Sequence, residues 1–221
     1  MSRVRCSVCG RSFTAERSTA RTCSDACRQA RSRRIRSTTP PFPRQAGGYK
    51  LIYADPPWHF QTYSAKGEGR HATRHYETMD LKAICDLPVA DIAARDCVLA
   101  IWDYGPLLPQ VLRVIEAWGF TYQSELLVWV KTTRSGKLAF GTGYTTRKNS
   151  ELVLSATRGK GLEVVGRGVS QCFLAERREH SRKPDEAAES LERLFGPVPR
   201  VELFARHRRP GWTCWGAELV P

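Results

Sequence analysis

The run Tyr49-Lys50-Leu51-Ile52-Tyr53-Ala54 stops abruptly at Asp55-Pro56-Pro57-Trp58, and this junction limits the folds open to the chain more than any other stretch. The run is mainly apolar, aromatic and β-branched, which is the signature of a buried strand in an α/β sheet. The two prolines have no N–H for a sheet ladder and hold φ near −65°, so the tetrapeptide must leave the sheet at the strand's carboxyl end. Open α/β sheets bind ligands along that edge. The junction therefore predicts a site at Asp55. A capped turn with a packed tryptophan is the plainer reading of the tetrapeptide taken alone.

Other stretches fit the same class. Cys97 to Trp102, Glu125 to Val130, Ser150 to Leu154 and Arg200 to Phe204 read as strands, and Leu107 to Trp118 and Asp185 to Phe195 as amphipathic helices. Such alternation predicts a doubly wound sheet. Ser181 suits a helix cap, Pro184 a first turn, and Asp185 with Glu186 complements the helix dipole. A length of 221 residues predicts one large domain plus something small. No run approaches the ~18 apolar residues of a membrane span, and Met1 to Arg5 leads into no apolar core, so the expectation is a cytoplasmic protein. Gly141-x-Gly143 is too short for a dinucleotide fingerprint, which disfavours a nicotinamide enzyme. The histidines at 59, 71, 75, 180 and 207 show no metal-ligand spacing.

Charge and cysteine are concentrated at the N-terminus. Residues 1–48 hold eleven arginines against Glu16 and Asp25, most of the net charge of +13. Such a surplus favours a polyanion, nucleic acid foremost; its plain reading is a solvated basic arm. Cys6, Cys9, Cys23 and Cys27 argue for more. C-x2-C and C-x3-C across a short loop can set four thiolates around one zinc ion, whereas Cys85, Cys97, Cys172 and Cys214 are scattered singly. A segment of this size cannot bury enough surface to fold unaided, and a metal supplies what is missing. Two disulfides are the alternative, and a reducing compartment disfavours them. Cys9-Gly10-Arg11-Ser12-Phe13 resembles a zinc knuckle and the start of small treble-clef fingers. Arg28 to Arg36 reads as a helix whose arginines meet phosphates without reading sequence; a protein-docking finger is the other reading. The expected division is a basic four-cysteine module at 1–36, a proline- and glycine-punctuated linker at 37–48, and a domain at 49–221.

The tetrapeptide suits a planar base with an exocyclic amine. The Asp55 carboxylate accepts one N–H and the Pro56 carbonyl the other. Fixed acceptors for both hydrogens draw the nitrogen toward tetrahedral geometry and free its lone pair for attack on an electrophilic carbon. Trp58 adds stacking worth ~1–3 kcal/mol. Further along come His75-Tyr76-Glu77-Thr78-Met79, Trp118-Gly119-Phe120 to Trp129-Val130-Lys131, and Gly141 to Arg147. His180-Ser181-Arg182-Lys183-Pro184-Asp185-Glu186, Glu202-Leu203-Phe204-Ala205-Arg206 and Gly211-Trp212 to Glu218 follow. In this order, with Asp55-Pro56-Pro57-Trp58, they resemble the MT-A family of N6-adenine methyltransferases, named for the seventy-kilodalton subunit of the mRNA adenosine methyltransferase. The resemblance covers residues 49–221 and leaves the cysteine segment outside.

The resemblance implies a Rossmann-like methyltransferase sheet with permuted motif order, S-adenosylmethionine as methyl donor, and direct transfer to adenine without a covalent enzyme intermediate. By similarity Lys183, Phe204, Arg206 and the turn Gly216-Ala217-Glu218 surround the cofactor, with cations near its carboxylate and Glu218 or a backbone amide near its ribose. His207 and Arg208 are further candidates, although Arg206 to Arg209 also read as a basic surface loop. Relatives commonly carry Asn where this chain has Ala217, which removes one side-chain hydrogen bond. Tyr76 and Trp102 match positions beside the base, and Trp102 reads equally as core. Lys131 is a candidate phosphate contact, and residues 59–74 are expected to gate the pocket. A compact chain with a small finger looks bacterial or phage-like, which favours DNA over RNA by analogy; a duplex would have to flip its adenine out. The rival reading is a catalytically inactive, nucleic-acid-binding partner subunit, and the intact Asp55, Pro56, Pro57 and Trp58 favour the enzyme.

Overall fold

The computed structural model describes residues 2–15, 22–27, 29–30, 41–58, 78–141, 143, 145–178, 182–217 and 219. The expected gate at 59–74, Tyr76, Ser181 and Glu218 lie outside the described residues. The chain divides into two compact units that part between Pro41 and Phe42.

In the small unit β1 (Ser2–Arg5) pairs antiparallel with β2 (Ser12–Ala15), with Val4 opposite Phe13. The turn between them closes on two backbone bonds: Cys6 N–H donates to Arg11 O at 2.9 Å and Gly10 N–H to Cys6 O at 3.0 Å. Gly10 has φ +71°, the left-handed conformation that glycine takes without strain. Asp25 to Cys27 are helical, and Cys27 N–H donates to Ser24 Oγ at 3.2 Å.

Among its described residues the large unit is built on seven strands: β3 (Tyr49–Ala54), β4 (Ala93–Asp103), β5 (Thr121–Thr132), β6 (Ser150–Arg158), β7 (Cys172–Glu176), β8 (Arg200–Leu203) and β9 (Thr213–Trp215). Their order across the sheet is β7-β5-β6-β4-β3-β8-β9. Strands β4, β3, β8 and β9 are mutually parallel, as are β5 and β7; β6 runs antiparallel to both β4 and β5. This one reversed strand departs from an all-parallel sheet, and nothing in its apolar run distinguishes its direction.

Helices cover both faces, as a sheet with apolar residues on both sides of each strand requires. On one face lie α1 (Leu81–Cys85) and α2 (Leu108–Ala117), burying Ile84, Val111, Val114 and Ile115 against Ile52, Leu99 and Leu154. Val111, Val114, Ile115 and Trp118 recur at helical spacing, each removing side-chain area worth about 1.5–3 kcal/mol. The Trp118 indole N–H donates to Ile84 O at 2.9 Å and locks the end of α2 to α1. On the other face α3 (Asp185–Phe195) packs Ala187, Ala188, Leu191 and Phe195 over Tyr53, Val98 and Trp102. Pro184 takes the cap position of α3, one residue before its first turn. Phe42 lies in the large unit, its ring 4.2 Å from that of Trp215.

The winding sets the ligand edge. From β3 the chain passes to β4 and on to β5, returns with β6 between those two, adds β7 outside β5, and only with β8 reaches the other side of β3. The sheet order therefore reverses between β3 and β8, and the carboxyl ends of these parallel neighbours open side by side. In α/β sheets this switch point is the ligand crevice.

Candidate active site

Register places the candidate residues around that crevice. Ala54 pairs with Leu203, so Asp55 and Phe204 are the first residues beyond the sheet on adjacent strands. The backbone bends at once on both. Trp58 N–H donates to Pro56 O at 2.8 Å, and Met79 N–H to Pro57 O at 2.9 Å. Phe204 takes φ +63°, a left-handed backbone that only a well-held residue adopts. Its ring sits edge-on to Trp215 at 5.5 Å. Ala205 N–H donates to Trp215 O at 2.9 Å, and a Cβ on Gly216 would meet Ala205 O at 2.2 Å. Glycine is thus the residue that fits at 216, where the ends of β8 and β9 meet.

Lys183, just before α3, reaches the same edge. Its ammonium is 2.9 Å from Asp55 Oδ1 and 3.4 Å from Glu151 Oε2, and lies 5.3 Å from the centre of the Trp102 ring. Glu151, at the start of β6, also meets Lys131 at 2.5 Å. Burial alone would raise the Glu151 pKa, but Lys183 and Lys131 outweigh it and hold the carboxyl below its ordinary value. The result is a chain of alternating charge, Asp55, Lys183, Glu151 and Lys131, laid over two buried tryptophans. Lys131 itself sits 4.9 Å from the Trp129 ring centre.

Trp102 and Trp58 are both core residues here. Trp102 donates its indole N–H to Tyr53 Oη at 2.6 Å. Burial pushes the Tyr53 phenol well above its ordinary pKa, so it stays neutral as an acceptor. Trp58 belongs to the apolar cluster on the α1–α2 face, and its buried indole N–H finds no acceptor among the described residues. Asp103, the last residue of β4, is only 2% exposed; among the described residues no side chain bonds its carboxylate, and the Gly105 backbone N–H favours its charged form. Burial pushes its pKa up against the pull of Lys148.

A second charged group borders the edge at the start of α3. Asp185 is bonded by Arg178, and lies 3.1 Å from Arg209 and 3.2 Å from Arg182. Burial opposes the charge, but Arg178 and Arg209 hold the Asp185 pKa at about 2. Arg209 also pairs with Glu202 at 3.2 Å. His207 Nε2 is 3.5 Å from Asp185 Oδ1; burial and the neighbouring arginines lower its pKa. Arg206 is half-buried and Ala217 exposed.

The structure thus brings Asp55, Pro56, Lys183, Phe204 and Gly216 to one crevice. It commits Lys131 to Glu151, and it buries Trp58 and Trp102. Tyr76 and Glu218 lie outside the described residues. The sequence reading missed Glu151, Asp103 and Arg209. The only signal for Glu151 was a single acid opening the apolar run Leu152-Val153-Leu154; for Asp103, an acid closing one.

In the small unit the sulfurs of Cys6, Cys9, Cys23 and Cys27 all lie within 4.8 Å of one another, and all four are free thiols. Cys9 Sγ is 3.5 Å from Cys23 Sγ, which is 3.8 Å from Cys27 Sγ. The backbone N–H of Cys9 favours the Cys6 thiolate and lowers its pKa to about 6; the thiol of Cys9 pushes Cys23 up to about 12. This cluster can hold one metal ion.

Comparison with known proteins agrees with the geometry. Residues 49–218 match the MT-A70 family. The type II methyltransferase M.MunI of a Mycoplasma species is 33% identical over 196 residues, which is 81% of each chain. The N(6)-adenosine-methyltransferase MT-A70-like protein of Arabidopsis thaliana is 29% identical over 178 residues, 78% of this chain and 24% of its own. The human N(6)-adenine-specific methyltransferase METTL4 is 30% identical over 188 residues, 78% of this chain and 38% of its own. The chain therefore spans most of the Mycoplasma protein and well under half of these two eukaryotic ones.

Proposed function

The chain belongs to the MT-A70 family, and from that premise we propose that it transfers a methyl group from S-adenosylmethionine to the N6 of adenine in nucleic acid, with DNA as the polymer. The observation that carries this reading is Asp55: a carboxylate at the switch point of the sheet, anchored at Oδ1 by Lys183. Its second oxygen is an acceptor for one amine hydrogen. Pro56 O already takes the Trp58 N–H and keeps a second lone pair for the other. Two acceptors on stiff supports orient the amine, and positioning of this kind supplies most of the rate where no covalent intermediate forms.

The edge formed by β8 and β9 fits the cofactor. The tight meeting of Gly216 with Ala205 leaves backbone bare of a side chain there, and Arg206 and Arg208 bring positive charge for a carboxylate. Phe204, His207 and Ala217 complete that group, and Lys183 serves Asp55 and the cofactor side alike. When bound, S-adenosylmethionine supplies a methyl group activated by a sulfonium. The chain's part is to hold the amine, exclude water and keep Asp55 fixed in place by Lys183.

DNA is favoured because the relative sharing 81% of both chains is a type II methyltransferase, and because the N-terminal arginines suit a polyanion. The cysteine cluster suits zinc: four thiolates at Zn–S of roughly 2.3 Å form a tetrahedron with edges of about 3.8 Å, close to the 3.5 and 3.8 Å seen. In this reading the module at 1–36, joined through 37–48 to the domain at 49–221, retains the enzyme on DNA without choosing the sequence. Incubation with methyl-labelled cofactor and either DNA or RNA tests the proposal. Label in adenine of DNA is expected; label in RNA alone would overturn the choice of polymer, and none in either would overturn the activity. Removal of residues 1–46 is expected to weaken DNA binding and flatten its salt dependence.

A further inference from the structure

The carboxyl edge of the sheet carries more cation than the crevice engages. Strands β3, β4 and β5 point the same way, since β3 is parallel to β4 and β6 runs antiparallel to both β4 and β5. The turn that follows β5 therefore leaves from the edge that bears Asp55. Along this edge Lys183 and Lys131 are paired with Glu151, and Arg178 and Arg209 with Asp185. Arg134, Lys137 and Arg147 are exposed in the turn between β5 and β6 and meet no carboxylate among the described residues.

The same turn holds out an aromatic ring. Phe140 is 48% exposed, and Leu138, two residues before it, 45%. A lone exposed apolar side chain is ordinary; a supported one with a cation over it is not. Ala139 is buried and its N–H donates to Lys131 O at 2.8 Å, while Gly141 N–H donates to Lys148 O at 2.7 Å. The residues on either side of Phe140 are thus tied to the chain flanking β5 and β6, and the ring between them meets solvent. The Arg147 guanidinium lies 5.0 Å from the ring centre, within cation–π range. Further out, Thr133 N–H donates to Lys137 O at 2.7 Å and Gly136 N–H to Thr133 O at 2.9 Å, which fixes the tip that carries Arg134 and Lys137.

An aromatic face with a guanidinium on it, bordered by unpaired cations, is complementary to a base and its phosphates. Across the sheet β5 lies three strand spacings from β3, about 14 Å, the length of about four stacked nucleotides. The turn is within reach of a strand whose adenine sits at Asp55, and too far away to touch that adenine itself. We propose that the turn between β5 and β6 is a second contact site for the DNA strand: Phe140 and Arg147 stack a base that flanks the target adenine, and Arg134, Lys137 and Arg147 take the phosphates around it. This rests on the nucleic-acid reading above and deepens it, moving the phosphate contact from Lys131, which Glu151 holds, to three exposed cations nearby. Stacking tolerates any base, so the site adds grip rather than choosing the sequence.

The test measures binding of a labelled single-stranded DNA oligonucleotide at several salt concentrations. Wild type is compared with Phe140→Ala, Phe140→Trp and the double variant Lys137→Gln with Arg147→Gln, with thermal midpoint recorded for each. Phe140→Ala is expected to weaken binding about 5- to 100-fold, the worth of one stacked base, with the salt dependence unchanged, and Phe140→Trp to bind as the wild type does. The double variant is expected to flatten the slope of log affinity against log salt by about 0.7 for each cation removed. Unchanged affinity in Phe140→Ala overturns the stacking role, and an unchanged slope in the double variant overturns the phosphate contacts. A loss in Phe140→Ala that comes with a lower midpoint and is not recovered in Phe140→Trp makes the ring structural and overturns the inference as well. A wild type that binds no DNA, single-stranded or duplex, overturns the DNA reading itself.

Discussion

Lys183 is the cation on which the site's charge arrangement turns, and Lys183→Met isolates its contribution. Its ammonium meets Asp55 at 2.9 Å and Glu151 at 3.4 Å, with side chains 17%, 24% and 11% exposed. Methionine keeps the length of the chain and removes the charge. Asp55 then loses the Lys183 cation at Oδ1, and Glu151 keeps Lys131. Breaking a sealed pair from one side costs about 3–5 kcal/mol; the partial exposure of Asp55 and the surviving Lys131 contact bring this to about 2–3 kcal/mol. For a chain of this size that is a fall in thermal midpoint of about 4–12 °C. The pH dependence has a definite sign. Glu151 is held low in the folded state, so the stability it contributes is present above its unfolded pKa and is lost as pH falls through the folded value. The gap between wild type and Lys183→Met should therefore be widest above about pH 5 and narrow on acidification. Calorimetry or circular dichroism over a range from about pH 4 to about pH 8 measures it. Equal midpoints at neutral pH, or a gap that widens in acid, would refute the charge-chain account.

Three further outcomes follow from single features. Gly216→Ala should lower stability by about 1–3 kcal/mol and weaken cofactor binding, since its Cβ meets Ala205 O at 2.2 Å; thermal melts with and without cofactor check both. Ala217→Asn should tighten S-adenosylmethionine binding about threefold to tenfold by adding one hydrogen bond, as titration calorimetry would show. Cys9→Ser or a strong chelator should release one zinc ion per chain, read by metal analysis, and unfold the small unit; unchanged metal content would refute the four-thiolate site.

Much of this was legible in the sequence wherever covalent chemistry constrains the backbone. Two prolines after an apolar run can only leave the sheet, so β3 and the edge at Asp55 were readable from Tyr49 to Trp58 alone. The cysteine spacing was equally direct, because few arrangements other than a metal site bring C-x2-C and C-x3-C together. Helices α2 and α3 announced themselves by apolar spacing. What stayed hidden depends on neighbours far away in the chain. The direction of β6 is set by its partners β4 and β5, and no local preference records it. Lys183 read as a cofactor ligand, yet its contact with Asp55, distant in the chain, appears only once α3 is docked on β3 and β4. Glu151 and Asp103 sit at strand ends, where an acid ordinarily means solvent; burial is what gives them meaning, and burial is a property of the assembled sheet.

The central claim is that Asp55 orients an adenine amine for methylation. The direct measurement is mass-spectrometric detection of N6-methyladenine in DNA after incubation with S-adenosylmethionine, for wild type and Asp55→Ala side by side, with cofactor affinity measured for both. The account predicts product from the wild type and none from Asp55→Ala, at nearly equal cofactor affinity. Product from Asp55→Ala at the wild-type rate would contradict it.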